Sequence, residues 1–190
     1  MKKVYLILTT VLILFNSSLI AQNDNIILKK LDCVKQGKII DPAFAWVINN
    51  KQEKISYNQF KGKWLLIDFW STGCVPCIKE FPALANFYER NKTKIEVIAV
   101  SVDKDFKRYK RSAAKYNIKV PHFYAGFTYN NYIFNLNVKV LKTREGAFKF
   151  NTLTPQYVLI NPLGKIIDKD IPKPSSSDFK TKLDLYLNEK

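Results

Sequence analysis

The alternation of apolar and polar residues predicts a β-hairpin followed by two buried strands, each leading into a helix. Residues 44–56 alternate on both sides of NNKQ, a turn sequence, as expected for a hairpin. The runs WLLIDFW (64–70) and IEVIAVSVD (95–103) are almost wholly apolar, as in strands that are buried on both faces. Apolar residues at helical spacing then predict a helix over residues 74–91 and another from about residue 105.

The second half of the chain predicts a third short strand in VPHFYAG and two further strands, QYVLI and KIIDK, joined by the turn NPLG. SSSDFKTKLDLYLNE predicts a closing amphipathic helix with serine caps. Strands that alternate with helices and then form an antiparallel pair predict an α/β fold, a mixed β-sheet flanked by helices on both faces. The connector over about residues 127–151, and LNVKVLKTREGAFKFN within it, fits neither helix nor strand.

The first residues resemble an export signal. Lys2 and Lys3 form the charged start, residues 4–15 the apolar core, and small residues lead to Ala21. We therefore predict a signal peptide over residues 1–21 and an exported, periplasmic or extracytoplasmic protein. An uncleaved membrane anchor is the alternative. The rest divides into a lead-in segment, 22–41, and one domain, 42–190, of ordinary size.

The formal net charge is +15, and the lysines are spread along the chain. They are densest in DKDFKRYKRSAAK, which begins at Asp103. A nucleic-acid-binding surface would need arginines interleaved with aromatic residues and an intracellular address, so we predict no nucleic-acid partner. The run is interpreted as a solvated helix face, and electrostatic steering of acidic partners is the functional alternative.

Cys74 and Cys77 form a Cys-x-x-Cys pair, and Cys33 is predicted to be a spare thiol. A zinc site needs four ligands, and beyond this pair the chain offers only Cys33 and its single histidine, His122. We therefore predict no metal site. A structural disulfide across two intervening residues would constrain little of the unfolded chain. Redox exchange is the interpretation that remains.

The position of the pair supports redox chemistry. Cys74 lies where the predicted strand turns into a helix, and unpaired amide donors at a helix start favour the thiolate. Cys77 lies one turn further, on the buried stripe, from which it can resolve a mixed disulfide. Pro76 is tolerated because the first helical turn does not need its missing amide hydrogen. We predict Cys74 as the attacking thiol and Cys77 as the resolving one.

The stretch around Cys74 and Cys77 resembles that of a known family. LLIDFWSTGCVPC is similar to the strand and active-site turn of the thioredoxin superfamily, and FKGKWLLIDFWSTGCVPCIKEFPALANFY resembles the exported TlpA/ResA-type thiol–disulfide oxidoreductases. The resemblance implies a thioredoxin fold with an N-terminal β-hairpin addition and no cofactor beyond the cysteine pair. It also implies a monomer that reduces a disulfide-containing client protein, apocytochrome c among the candidates, with electrons from a membrane disulfide reductase.

The resemblance also implies the remaining site residues. Pro155 in TPQYVLINPLGKII matches the family's cis-proline, and Thr154 before it would bind an extended client. Asp68 and Glu80 match two acids that would handle the proton of the resolving thiol. Four further positions would contact the client: Trp70, Gly73, Val75 and Pro76. Gly73 departs from the family, whose residue before the first cysteine is usually a bulky aromatic, and it should widen the approach to the attacking sulfur.

Two other functions share this fold. A thiol peroxidase would need a proline ahead of Thr72, and none is there. A copper-delivery protein would use a wider cysteine spacing and a histidine; His122 follows Pro121 and is interpreted as structural.

Overall fold

The central feature is a seven-stranded mixed sheet. The structure, a computed structural model, describes residues 19–188. The strands of this sheet, in chain order, are β1 (Trp46–Ile48), β2 (Lys54–Ser56), β3 (Trp64–Trp70), β4 (Ile95–Ser101), β5 (His122–Tyr124), β8 (Gln156–Ile160) and β9 (Ile166–Ile171). Across the sheet they follow the order β2-β1-β5-β4-β3-β8-β9. β3 runs parallel to β4 and antiparallel to β8. The predicted hairpin is confirmed, with β1 paired to β2.

Helices cover both faces of this sheet. They are α1 (residues 19–32), α2 (Val75–Asn91), α3 (Phe106–Tyr116), α4 (Tyr132–Leu136) and α5 (Ser177–Leu187), with a short 3-10 helix at Tyr57–Phe60. Apolar residues of α2, α3 and α5 pack with one face of β3 and β8, and those of α4 pack on the opposite face. The predicted α/β fold is confirmed, and β3 lies at its centre, where every residue after Trp64 is buried.

The connector, which had no clear pattern, forms α4 and a separate two-stranded sheet of β6 (Val138–Lys142) and β7 (Phe148–Thr152). Asn131 caps α4 and is fully buried. Its Nδ2 donates to the backbone carbonyls of Trp46 and Ala125, at 2.8 and 2.6 Å. The connector is therefore fastened to the N-terminal hairpin through contacts between residues distant in sequence.

The predicted lead-in segment, 22–41, is helical up to residue 32. Val34 and Ile40 are buried, and the backbone at 37–40 bonds to residues at the start of β9. Cys33 is exposed and unpaired. The predicted signal peptide, 1–21, lies almost entirely outside the described residues. Between residues 19 and 188, no helix combines the length and apolar character that a membrane span requires.

Candidate active site

The two cysteines lie at the junction of β3 and α2 and form a disulfide, with 1.98 Å between the sulfurs. Cys74 is the N-cap residue of α2, and Cys77 lies in its first turn. The Cys77 amide donates to the Cys74 sulfur at 3.2 Å. Cys74 keeps 8% of its surface exposed, whereas Cys77 is completely buried. An incoming sulfur can therefore reach only Cys74, at a helix end whose free amides stabilise negative charge.

The predicted client-contacting residues fall into two groups. Gly73, Val75 and Pro76 are exposed around Cys74, so they are available to a client. Trp70 is fully buried, with its ring edge-on to a neighbouring aromatic at 5.4 Å. The structure therefore corrects the prediction for Trp70: as the last residue of a central strand it supports the turn from beneath and offers no surface to a client.

The Thr154–Pro155 peptide bond is cis. β8 begins directly after it, and its first residue, Gln156, pairs with Phe69 near the end of β3. The Thr154 hydroxyl lies 3.5 Å from the hydroxyl of Ser71 in the active-site turn. The predicted proline segment therefore adjoins this turn, and its role in client binding stays a prediction.

Asp68 lies within β3 and has no access to solvent. Side chains alternate along a strand, so Asp68 shares the face of Trp70, the face on which α2 and Cys77 pack. Among residues 19–188, neither carboxyl oxygen has a hydrogen-bond partner, and the same holds for the hydroxyl of Tyr157, the residue opposite in β8. Burial raises the pKa of Asp68 well above its usual value, and the nearby Glu80 carboxylate raises it further.

Glu80 is also buried, with 6% of its surface exposed. It accepts hydrogen bonds from the Ser175 amide at 2.9 Å and the Ser175 hydroxyl at 2.7 Å, and Lys173 lies 4.0 Å away. Its burial shows that Glu80 is not an ordinary exposed helix acid. These bonds join α2 to the segment before α5 and hold a second carboxylate close to Asp68.

Asp103 is a site residue that the sequence pattern did not single out, because it stands at the start of the basic run. It lies just after β4 and is 7% exposed. Its carboxylate accepts bonds from the Thr72 amide at 3.1 and 3.2 Å, the Thr72 hydroxyl at 2.8 Å and the Ser101 hydroxyl at 2.8 Å. Because Thr72 lies two residues before Cys74, Asp103 holds the active-site turn in place. Its position could have pointed to this role, because it is an acid at the end of the buried strand that follows the Cys-x-x-Cys motif in the sequence.

We expect Asp103→Asn to lower the free energy of unfolding by about 2 kcal/mol, because an amide cannot accept all the bonds that a buried carboxylate accepts from Thr72 and Ser101. Urea unfolding at neutral pH measures this loss. Asp170→Asn, a change at an exposed acid, is the matched control and should stay within about 0.5 kcal/mol of the parent. Equal stabilities for the two variants would show that the Asp103 bonds do not hold the turn.

The other polar candidates lie away from this chemistry. The His122 Nδ1 is 3.3 Å from the Val120 carbonyl, and its ring packs against Tyr109. Within the described part of the chain, no group of three or more His, Cys, Asp or Glu side chains is arranged to hold a metal ion.

Comparison with known proteins agrees with this geometry. Residues 35–183 match the Redoxin family. The thiol-disulfide oxidoreductase ResA of one Bacillus cereus strain is 28% identical over 149 residues, which are 78% of this chain and 75% of that protein. ResA of Bacillus thuringiensis subsp. konkukian is 37% identical over 81 residues, which are 42% of this chain and 46% of that protein. The chain thus spans about half the length of several curated relatives that it matches.

Solved structures establish the fold. The thioredoxin domain of a thiol-disulfide oxidoreductase from Bacteroides vulgatus superposes with a TM-score of 0.61 at 22% identity, covering 81% of this chain and 99% of that one. A thiol:disulfide interchange protein from Bacteroides sp. gives a TM-score of 0.59 at 23% identity, over 82% of this chain and 92% of that one. The resemblance noted in the sequence is confirmed: the chain belongs to the Redoxin family, as a TlpA/ResA-type member of the thioredoxin superfamily.

Proposed function

We propose that this protein is a thiol–disulfide oxidoreductase that reduces disulfides in other proteins. The observation that carries the proposal is the asymmetry of the cysteine pair: a reachable Cys74 at the start of α2 is bonded to a wholly buried Cys77. A buried second sulfur cannot meet a client, but it lies where it can attack a disulfide formed at the first. The ResA proteins that this chain resembles carry the same activity in their name.

The reaction needs no cofactor beyond the dithiol. In the reduced protein the Cys74 thiolate attacks one client sulfur, the client disulfide breaks, and the departing client thiolate takes a proton. The Cys77 thiol then loses its proton and attacks the Cys74 sulfur, which restores the Cys74–Cys77 disulfide and releases the second client thiolate. The client gains two electrons, which the protein loses. Of the two protons that the client thiolates take, one comes from the Cys77 thiol and the other equals the proton released to solvent when the Cys74 thiolate formed.

The acids beneath the pair would serve the second step. Asp68 has a raised pKa on the face where Cys77 packs, so its carboxylate is a stronger base than an exposed aspartate and can accept the Cys77 proton. Glu80, fixed by Ser175, modulates Asp68 through its charge. Both acids are buried, as Cys77 is, so they would act on this resolving sulfur. Cys74 lies at the surface, where solvent can exchange its proton.

The client would bind as an extended segment against the turn. Thr154 and Pro155 supply backbone next to Ser71, and the exposed Gly73, Val75 and Pro76 complete the surface around Cys74. Backbone pairing of this kind accepts many sequences, so the client's identity would depend on neighbouring side chains.

The cellular role we propose is that of an exported reductant. A cleaved signal peptide, residues 1–21, would place the protein outside the cytoplasm, where disulfides persist. A reductant there needs its own electron supply, and a membrane disulfide reductase is the proposed donor. Apocytochrome c, whose haem attachment requires free thiols, is the client we propose to test first. The protein would act as a monomer.

A single-turnover experiment tests the function. The reduced protein is mixed with an equal amount of a protein that holds one accessible disulfide, and free thiols are alkylated at intervals. We expect mass spectrometry to show two client thiols for each Cys74–Cys77 disulfide that forms. Persistence of the client disulfide while Cys74 remains reactive toward alkylating agents would overturn the proposal.

A further inference from the structure

The basic run of the sequence lies beside the active site. The five exposed cations between residues 104 and 111 form what we call the basic face: Lys104, Lys107, Arg108, Lys110 and Arg111. All but Lys104 lie on α3. The apolar residues of α3 point inward, where Tyr109 and Ala113 are buried. The only acid among residues 104–111 is Asp105, the N-cap of α3.

These charges are almost unpaired. Among residues 19–188, the only ion pair of the basic face within 4.0 Å joins Arg108 Nε to Asp103, at that limiting distance. Lys107 and Arg111 are four residues apart, so like charges face each other along the helix, an arrangement that destabilises it. The fold itself gains nothing from this repulsion.

Arg108 connects the basic face to the reactive cysteine. Apart from the adjoining residues 72 and 74, the only atom in the described part of the chain within 4 Å of a Cβ built on Gly73 would be the Arg108 Nη2, at 3.8 Å. Cys74 is the next residue along the chain. The absent side chain at Gly73 therefore leaves the Arg108 guanidinium accessible beside the residue that precedes the attacking cysteine.

A cleft of about 330 Å³ opens at this place, and its charged lining consists of Lys104, Arg108, Asp103 and Asp105. Ser71, Gly73 and Phe127 also line it. Phe127, from the start of the connector, is 43% exposed, and the Lys104 ammonium lies 5.3 Å from the centre of its ring. The cleft thus presents two cations, two acids and an aromatic ring beside Gly73, the residue before Cys74. Asp103 is already bonded to Thr72 and Ser101, and Asp105 caps α3. It would receive the residues that flank a client's cysteine.

We propose, on the basis of the proposed function, that the basic face selects disulfide-containing proteins with acidic residues near the reactive disulfide. The five cations of the basic face exceed the two acids beside it, Asp103 and Asp105, so the net charge there is positive. Carboxylates of such a client would pair with these cations, which would also steer its approach. Nucleic acid fits less well, because Tyr109 is buried and the other aromatic residues of α3, Phe106 and Tyr116, are only partly exposed and pack against the core.

Matched peptides test the proposal. Two peptides share one disulfide and differ only in four flanking residues, Asp in one and Asn in the other. At low ionic strength we expect the reduced protein to reduce the acidic peptide about tenfold faster, since steering raises association rates by that order or more. The preference should shrink toward unity at about 1 M salt, where the screening length is only about 3 Å.

Charge variants locate the effect. Lys107→Gln/Lys110→Gln/Arg111→Gln removes three charges from the basic face. The control, Lys61→Gln/Lys94→Gln/Lys165→Gln, removes three exposed charges next to the starts of β3, β4 and β9, at the opposite end of the sheet from Cys74. We expect the acidic-to-neutral rate ratio to fall about threefold or more in the first variant and much less in the control.

The outcomes are distinct. Failure to reduce either peptide would refute the proposed function itself. Equal rates for both peptides, or an equal fall in the two triple variants, would overturn the acidic-client proposal and leave the function intact. Micromolar binding of a short DNA duplex at physiological salt, lost in the first variant and without any peptide preference, would assign the basic face to nucleic acid instead.

Discussion

Replacing Cys77 with serine is expected to convert the protein into a trap for its clients. Cys74 stays reachable and attacks as before, but no second thiol is present to break the mixed disulfide. Cys74→Ser should instead lower client reduction by at least about three orders of magnitude, as expected when a nucleophile is removed. Non-reducing electrophoresis followed by mass spectrometry of the adduct distinguishes the two variants.

Cys33→Ser is the matched control for both changes, because Cys33 is exposed and unpaired in the structure. It should reduce clients at the parent rate and form no stable adduct. The opposite pattern, adducts at Cys77 in a Cys74→Ser variant, would reverse the assignment of attacking and resolving thiols and contradict the burial of Cys77.

Asp68→Asn is expected to slow resolution of the mixed disulfide about a hundredfold, the usual contribution of a general base, and to affect the first attack much less. Asp68 can accept the Cys77 proton only when it is ionised. The parent's advantage over the variant should therefore disappear as the pH falls below the raised pKa of Asp68. Rapid-quench measurement of mixed-disulfide formation and decay between pH 5 and 9 separates the two steps.

The same substitution should change how stability depends on pH. Below about pH 4 the Asp68 carboxyl is protonated in both folded and unfolded chains. As the pH rises, the unfolded carboxyl ionises while the buried one keeps its proton, so the parent loses stability until the pH passes the raised pKa, by up to about 1.4 kcal/mol for each pH unit. We therefore expect Asp68→Asn to gain stability relative to the parent between pH 4 and 8.

Urea unfolding at several pH values measures this gain, and only its pH dependence is diagnostic, because the buried amide has a cost of its own at every pH. Asp184→Asn, at an exposed acid of α5, is the control and should follow the parent closely. Parallel stability curves for the parent and Asp68→Asn would show that Asp68 ionises as easily in the folded protein as in the unfolded one.

The elements around the cysteines were predictable because their signals are local. β3 was predicted over the residues that it occupies, because a short apolar run bounded by turn residues is compatible with few structures other than a buried strand. α2 begins one residue after Cys74, where the apolar residues change from a continuous run to helical spacing. The hairpin before them followed from strict alternation around one turn sequence.

The connector was not predictable because nothing local specifies it. Its hairpin alternates weakly, with half-buried and exposed residues and no fully buried one. Its short helix is held by Asn131, whose partners are Trp46 and Ala125. Such bonds join residues up to 85 positions apart, so they leave no periodic trace in the sequence.

The roles of three residues also depended on distant partners. Glu80 could have been an exposed helix acid until Ser175 was placed against it. Asp103 gained its role only when the parallel pairing of β3 and β4 brought it beside Thr72. Trp70 lost its predicted client contact because helices packed on that face of β3 bury it completely.

The sequence by itself determined the chemistry of this protein: a Cys-x-x-Cys pair between a buried strand and a helix, with one acid inside the strand. A buried strand, the start of a helix and the reactivity of a thiol at that start all depend on residues adjacent in sequence. A short stretch is therefore enough to predict them. The tertiary structure alone decided which groups surround the pair, including the arginine that lies beside Gly73. Those neighbours come from separate elements, and only the pairing of strands and the packing of helices on them determine which side chains meet.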